Sequence, residues 1–316
     1  SDATDKIIDL TGIESFINLE TFGCSFNEIT SVDFSNNTAL KVLYVSDNQL
    51  ITLDVSSLTN LEELVFDRNQ ISAIDVTKNL ALKALSFSTN NISTLNVTKN
   101  TKLENYLWCD DNNLTSLNIK NNPKLITLHA ENNNLTGVDI SKNTVLVSLF
   151  LNNNQIVNID INQNTNLIEL LLNDNNIERA YLKNGNNTKI NNFSILNNPD
   201  LTCIAVDDVA FSNTNWTFKD ATANYNLDCS AEWEVYTEDA NLNIVLNTVS
   251  GLDADDDGMI TYEEAQAFTG DLDLSGQNIT SVTGLEAFTN AASINISGNS
   301  ITDISGLLNG NSVILS

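Results

Sequence analysis

The residues best suited to chemistry lie in the stretch DADDDGMITYEE, Asp253 to Glu264. Asp253, Asp255 and Asp257 stand at positions 1, 3 and 5, Gly258 at 6, Met259 at 7, apolar Ile260 at 8, Thr261 at 9 and Glu264 at 12. That order suits a loop wrapped around Ca2+: three side-chain oxygens, a sharp turn, a backbone carbonyl, a water held at position 9 and a bidentate carboxylate. Ca2+ is therefore the expected cofactor, held by Asp253, Asp255, Asp257, Met259, Thr261 and Glu264; the competing reading is an acidic surface loop with no ion. Sensor loops come in pairs that open a Met-rich groove, whereas this sequence has one such loop and 1 methionine, so the site reads as a brace rather than a switch. No nucleophile or base neighbours it in sequence, and catalysis is not expected there.

A second group of reactive or sticky side chains is spread out but regular. Trp108, His129 and Phe150 are separated by 129 − 108 = 150 − 129 = 21 residues, and the same interval runs through most of the chain. The segments LKVLYVSDNQLITLDV from Leu40, LEELVFDRNQISAIDV from Leu61 and LKALSFSTNNISTLNV from Leu82 superpose at every apolar position. Their LxxLxLxxNxL pattern is that of a leucine-rich repeat. One Asn column runs through Asn27, Asn48, Asn69, Asn90, Asn112, Asn133, Asn154, Asn175 and Asn198, in steps of 21 except 22 before Asn112 and 23 before Asn198.

The spacing dictates the elements that position these side chains. L-x-L is a short strand with its leucines inward, and the Asn that follows is expected to bond backbone groups of the next coil, since a buried amide must be satisfied. A second column, Asn37, Asn79, Asn100, Asn122, Asn143 and Asn164, marks the return path, which is poor in helix formers and reads as extended segments and turns. The predicted fold is an α/β-type solenoid dominated by β structure: right-handed coils, one parallel sheet, few helices, and a length of about 40 Å for nine coils. Cys24 and Cys109 occupy inward positions and are expected to be buried thiols. Cys203 and Cys229 lie where the rhythm stops and aromatic residues gather, as a cover for the open end of the core requires. A Cys203–Cys229 disulfide would close that cover and imply an oxidising compartment; the alternative is two unpaired thiols.

Beyond Cys229 the composition changes. A lead-in and short amphipathic helix, the acidic loop and a second short helix precede a restart: Leu10–Thr30 aligns without gaps to Val282–Thr302, an offset of 282 − 10 = 272. The expected organisation is a solenoid over 1–200, a disulfide-closed cap over 201–230, a helix-loop-helix over 231–270 and the start of a second repeat module over 271–316. Another helix-loop-helix is expected upstream of Ser1 and further repeats beyond Ser316. With 14 basic and 41 acidic residues, 14 − 41 = −27, the chain repels nucleic acid and anionic lipid. No apolar run approaches the roughly 18 residues of a membrane span.

The TGLEAFTN…SINISGNSITDIS block, the LTSLNIKNNPKL style of repeat and the DDVAFSNTNWTFKDATANYNLDCS end piece resemble bacterial secreted and cell-surface leucine-rich-repeat proteins of the internalin type, and the acidic loop resembles an EF-hand-type calcium loop. The resemblance implies surface display and binding of a protein or glycan, by a monomer within a longer multidomain chain. Outward positions of the strands would carry the ligand: Tyr44, Trp108, His129 and Phe150 in one column, Tyr106 two residues earlier, and Asp110, Glu131 and Asn152 as a polar flank. A glycan would stack on Trp108 and Phe150, about 9.6 Å apart across two coils. A protein partner would use the strip as an aromatic hot spot, and a basic one would suit the acidic rim. His129, the 1 histidine, reads as a stacked ring rather than a metal ligand. An open sheet face offers little to tune Asp110 and Glu131 as a catalytic pair, so an enzyme is not expected; a non-binding stalk remains the alternative.

Overall fold

The computed structural model describes residues 6–229, 235, 237–254, 259–304, 307 and 313–314. These fall into two compact units, 1–227 and 228–316.

In the first unit, nine three-residue strands form one parallel sheet: β1 (Thr21–Gly23), β2 (Val42–Tyr44), β3 (Glu63–Val65), β4 (Ala84–Ser86), β5 (Tyr106–Trp108), β6 (Thr127–His129), β7 (Ser148–Phe150), β9 (Glu169–Leu171) and β11 (Asn192–Ser194). Register is fixed by the inward residue, with Leu43, Leu64, Leu85, Leu107, Leu128, Leu149, Leu170 and Phe193 paired in succession. A shift by one residue would turn these side chains out to water. The extra residue of the fifth coil is absorbed between Leu103 and Tyr106, ahead of β5, so the sheet continues unbroken.

Each coil turns away from the sheet through the Asn column, and the bonds run to the preceding coil, not the next one as the spacing suggested. Asn69 Nδ2 donates to the carbonyls of Val45 (3.0 Å) and Phe66 (2.9 Å), while its Oδ1 accepts the Leu50 N–H (3.0 Å). The direction follows from the turn, because the residue before each Asn is left-handed. Phe26, Asp47, Arg68, Thr89, Asp111, Asn132, Asn153, Asp174 and Asn197 have φ of 50 to 63°. Such a conformation costs a non-glycine residue about 1–2 kcal/mol, and the amide bonds offset it coil by coil.

The return side differs from expectation at its C-terminal end. There β8 (Asn158–Asp160), β10 (Arg179–Tyr181), β12 (Cys203–Ala205) and β13 (Asn224–Asn226) form a second parallel sheet in the order β13-β12-β10-β8. Earlier returns are turns, pinned by Asp or Asn side chains that accept the N–H two residues on, as Asp54 does from Ser56 at 2.8 Å. The second-column amides bridge coils here too: Asn79 Nδ2 reaches the Val55 and Leu58 carbonyls at 2.9 and 2.8 Å.

The core end is covered by helix α1 (Val209–Asn215) and by Trp216, which is 2% exposed, stacks on Phe193 at 4.3 Å and donates its Nε1–H to the Ile190 carbonyl. Tyr225 bonds the Trp216 carbonyl through its hydroxyl at 2.6 Å. Cys203 and Cys229 are joined in a disulfide, whereas Cys24 and Cys109 are buried free thiols.

The second unit has its own core, including Leu242, Leu246, Ile260, Leu272, Leu285, Phe288 and Ile294. Helices α2 (Ala240–Leu246) and α3 (Tyr262–Ala267) precede a parallel sheet of β14 (Asp271–Asp273), β15 (Ser293–Asn295) and β16 (Val313–Ile314). Its restart motif repeats the first unit atom for atom at one turn. Gly12 and Gly284 have φ of 104° and 100°, and each donates its N–H to the carboxylate two residues later, Glu14 or Glu286, at 2.8 Å. Only glycine adopts that backbone without strain.

Candidate functional site on the strand face

Because inward leucines alternate with outward residues, β5, β6 and β7 must place Trp108, His129 and Phe150 side by side on the outer face of the sheet. They stack: Trp108 on His129 at 5.5 Å between centroids and His129 on Phe150 at 4.3 Å, with ring planes 18° and 19° apart. Tyr106 extends the row, 4.4 Å from Trp108. The Tyr106 hydroxyl continues across β4 to Glu63 Oε1 at 2.5 Å, and beneath this crossing Ala84, outward by register, is buried at 1% exposure; Ser86, between Val65 and Trp108, is buried too. Trp108 remains 37% exposed.

The stack changes how the strip can meet a ligand. Trp108 has rings against it from Tyr106 and His129, so a sugar laid flat on Trp108 competes with contacts that already exist, and the spacing of bare ring faces anticipated across two coils is not realised. What the surface offers is a continuous ridge of aromatic edges.

A polar column flanks the ridge two residues on. Asp67 Oδ1 accepts the Ser88 N–H (2.8 Å), the Ser88 hydroxyl donates to Asp110 Oδ1 (2.5 Å), and Asn152 Oδ1 accepts the Asn173 N–H (2.8 Å). Below the ridge, Ser148 donates to Glu169 Oε2 at 2.6 Å. Burial pushes the Glu131 carboxyl up to about 7, and the nearby charges of Asp110 and Asp111 add to it. Desolvation holds the His129 imidazole below its ordinary value, and burial raises both the Asp67 carboxyl and the Tyr106 phenol. Tyr44 lies nearer the start of the sheet on β2, its phenol likewise raised by burial and by Glu63. Among the described residues it makes no ring contact with the row, so the ridge itself comprises Tyr106, Trp108, His129 and Phe150, with Asp110, Glu131 and Asn152 alongside.

Sequence reasoning missed Glu63, Asp67 and Ser88. Their signal was present in the 21- and 22-residue offsets that set Ser88 against Asp67 and Asp110, and Tyr106 reaches Glu63 only because its side chain spans two strands.

In the acidic loop, Asp255, Asp257 and Gly258 lie outside the described residues. Thr261 is the N-cap of α3, and its backbone N–H and hydroxyl bond Glu264 Oε2 at 2.9 and 3.0 Å, while Glu264 N–H returns a bond to the Thr261 hydroxyl. The other carboxylate oxygen of Glu264 accepts the Ala254 N–H at 2.6 Å. The loop's two ends thus meet on one carboxylate. An all-oxygen donor set with its final carboxylate directed back at the loop's first turn fits Ca2+.

The coils, the parallel sheet and the Asn ladder together decide the architecture. The fold is a leucine-rich-repeat solenoid. It is similar to the functional domain of InlJ from Listeria monocytogenes, at 23% identity and a TM-score of 0.56, covering 98% of this chain and 60% of that one. It is also similar to a leucine-rich-repeat protein of Leptospira interrogans, at 16% identity and a TM-score of 0.53 over 96% of this chain and 86% of that one. Internalin C2 of Listeria monocytogenes matches at 25% identity over 51% of this chain and 74% of that one, with a TM-score of 0.47. The chain thus spans 60% of the length of the InlJ domain it matches. No protein-family model and no curated protein matches the sequence. Among the described residues, no helix is long and apolar enough to cross a membrane.

Proposed function

We propose that this chain is an extracellular or cell-surface adhesion module that engages a protein partner through the strand face of its solenoid. The observation that carries the reading is the stacked aromatic row with Trp108 still 37% exposed at its crest. Exposed aromatic groups held rigid by neighbours lose little conformational entropy on binding, which is the property of a protein-interface anchor. Stacked faces weigh against a flat-lying sugar, and a chain of net charge −27 favours a basic partner. The Cys203–Cys229 disulfide fits an oxidising compartment. The function is binding rather than catalysis.

Ca2+ has the structural part in this proposal. Asp253, Asp255, Asp257, the Met259 carbonyl, Thr261 and Glu264 would hold it, and the ion would cancel the mutual repulsion of the acidic loop at the start of the second unit.

One observation favours a second reading: the rings already satisfy one another, as they would in an inert stalk. Arrays displaying basic peptides and neutral polysaccharides separate the readings. Probed with the wild-type chain and Trp108→Ala in calcium, they are expected to show basic-peptide signals that the variant loses; glycan signals alone would overturn the protein reading, and an empty array would favour the stalk.

A further inference from the structure

Asp110, His129 and Glu131 converge. One ligand-type atom from each lies within 4.8 Å of the others, on a face where each side chain is half-buried. The convergence follows from two periodicities. Residues two apart on an extended strand share a face, which places Glu131 beside His129, and the 21-residue repeat sets Asp110 one coil earlier in the column of Glu131. From the register Trp108↔His129↔Phe150, the imidazole is sandwiched between two rings, so its nitrogens are directed along the surface at the ring edge.

Elsewhere this column is hydrogen-bonded from coil to coil, through Asp67, Ser88, Asn152 and Asn173. At Glu131 the ladder breaks: Oε2 is buried and has no hydrogen-bond donor. Among the described residues the ion pairs involve Glu20, Asp47, Glu62 and Asp139, and none neutralises Asp110 or Glu131. Arg68 acts on Asp110 only through space, while Asp111 and Glu169 add further negative charge around Glu131 and His129. A buried carboxylate oxygen without a donor, beside a second carboxylate and an oriented imidazole, lacks one thing, a cation.

We infer that Asp110, His129 and Glu131 form a binding site for a borderline divalent transition-metal ion of the Zn2+ class on the strand face. One nitrogen and two carboxylate oxygens are donors suited to Zn2+, whereas Ca2+ takes oxygen alone. Donors bonded at about 2.0–2.2 Å to a tetrahedral ion lie about 3.4 Å apart, so a spacing within 4.8 Å needs closure by about 1.4 Å at most. Three protein ligands leave a coordination position open on the outer face, beside the aromatic ridge. The site is separate from the acidic loop of the second unit and does not depend on the partner proposed above.

His129 is the 1 histidine of the chain, so its ring protons are single, unambiguous signals in a proton magnetic resonance spectrum. The untagged chain is titrated with Zn2+ in an excess of Ca2+, which occupies the acidic loop beforehand. The expected result is a His129 signal that moves, saturates at one equivalent of Zn2+ and ignores Ca2+. Glu131→Gln and Asp110→Asn keep size and stacking, and each is expected to weaken Zn2+ binding about 10-fold or more. Circular dichroism confirms that both variants fold; should one not, the other decides. A His129 signal that stays fixed, drifts without saturating, or saturates unchanged in the folded variants overturns the proposal.

Discussion

At the scale of single residues the fold depends on a trade repeated in every coil: one strained left-handed residue against one fully bonded amide. Asn69→Ala leaves the buried Leu50 N–H without its acceptor, while the Val45, Phe66 and Asp67 carbonyls keep donors in Asn48, Asn90 and the Asp47 N–H, and it is expected to cost about 1–3 kcal/mol in chemical denaturation for the orphaned N–H. The converse substitution lies next door. Thr89 is β-branched and sits at φ 57°, where its column mates are mostly Asp and Asn, so Thr89→Asn is expected to stabilise the chain by about 1 kcal/mol in the same experiment. The Asn column was plain in the sequence because its period is rigid. Its bonding direction was not, since that depends on backbone dihedrals which a residue type does not specify.

At the scale of elements, short strands and helices are held by side chains that join them to neighbours. Asp239 caps α2, accepting the Asn241 and Leu242 N–H groups, and also binds the Thr280 N–H and hydroxyl at 2.7 Å each. Burial pushes its carboxyl up, but the Thr280 and backbone bonds outweigh this and hold it at about 2, against an ordinary 3.8. A depressed carboxyl contributes stability above its unfolded value and loses it below, so the second unit is expected to weaken as pH falls from about 4 to 2. Asp239→Ala should cost about 1–2 kcal/mol near neutrality, with the difference from wild type vanishing toward pH 2 in acid melts. For the first unit's cover, replacing both Cys203 and Cys229 by Ala should cost about 3.5 kcal/mol of stability from a loop of 229 − 203 = 26 residues, measured as a fall in denaturation midpoint.

The elements themselves were legible where one rhythm governs them. Strands β2 to β7 follow directly from L-x-L, and the aromatic row follows from strand alternation. The second sheet did not, because segments such as VNIDI and TCIAV lack a period distinct from the turns that precede them. Nor did the burial of Ala84, which results from a tyrosine reaching across a strand rather than from any pattern in its own coil.

For the whole molecule, two units with separate cores imply separate responses. In the calcium proposal, chelation is expected to lower the melting temperature of 228–316 and leave that of 1–227 unchanged, since an ion at 100 times its Kd stabilises only the unit that binds it, by about 2.7 kcal/mol. Glu264→Gln should abolish the difference; calorimetric scans with and without chelator measure both. The partner was not legible at this scale, because a repeat fold displays a surface without specifying what meets it.

If the aromatic ridge is the protein-binding surface proposed above, Trp108 reports on it directly. Subtracting the fluorescence of Trp108→Phe from that of the wild-type chain isolates this residue from the buried Trp216 and from Trp233. Titration with arginine-rich peptides in calcium should give a saturable change that weakens with added salt, and neutral polysaccharides should give none. A Trp108 signal that ignores every peptide, or that answers only to the polysaccharides, would contradict the assignment of the ridge to a protein partner.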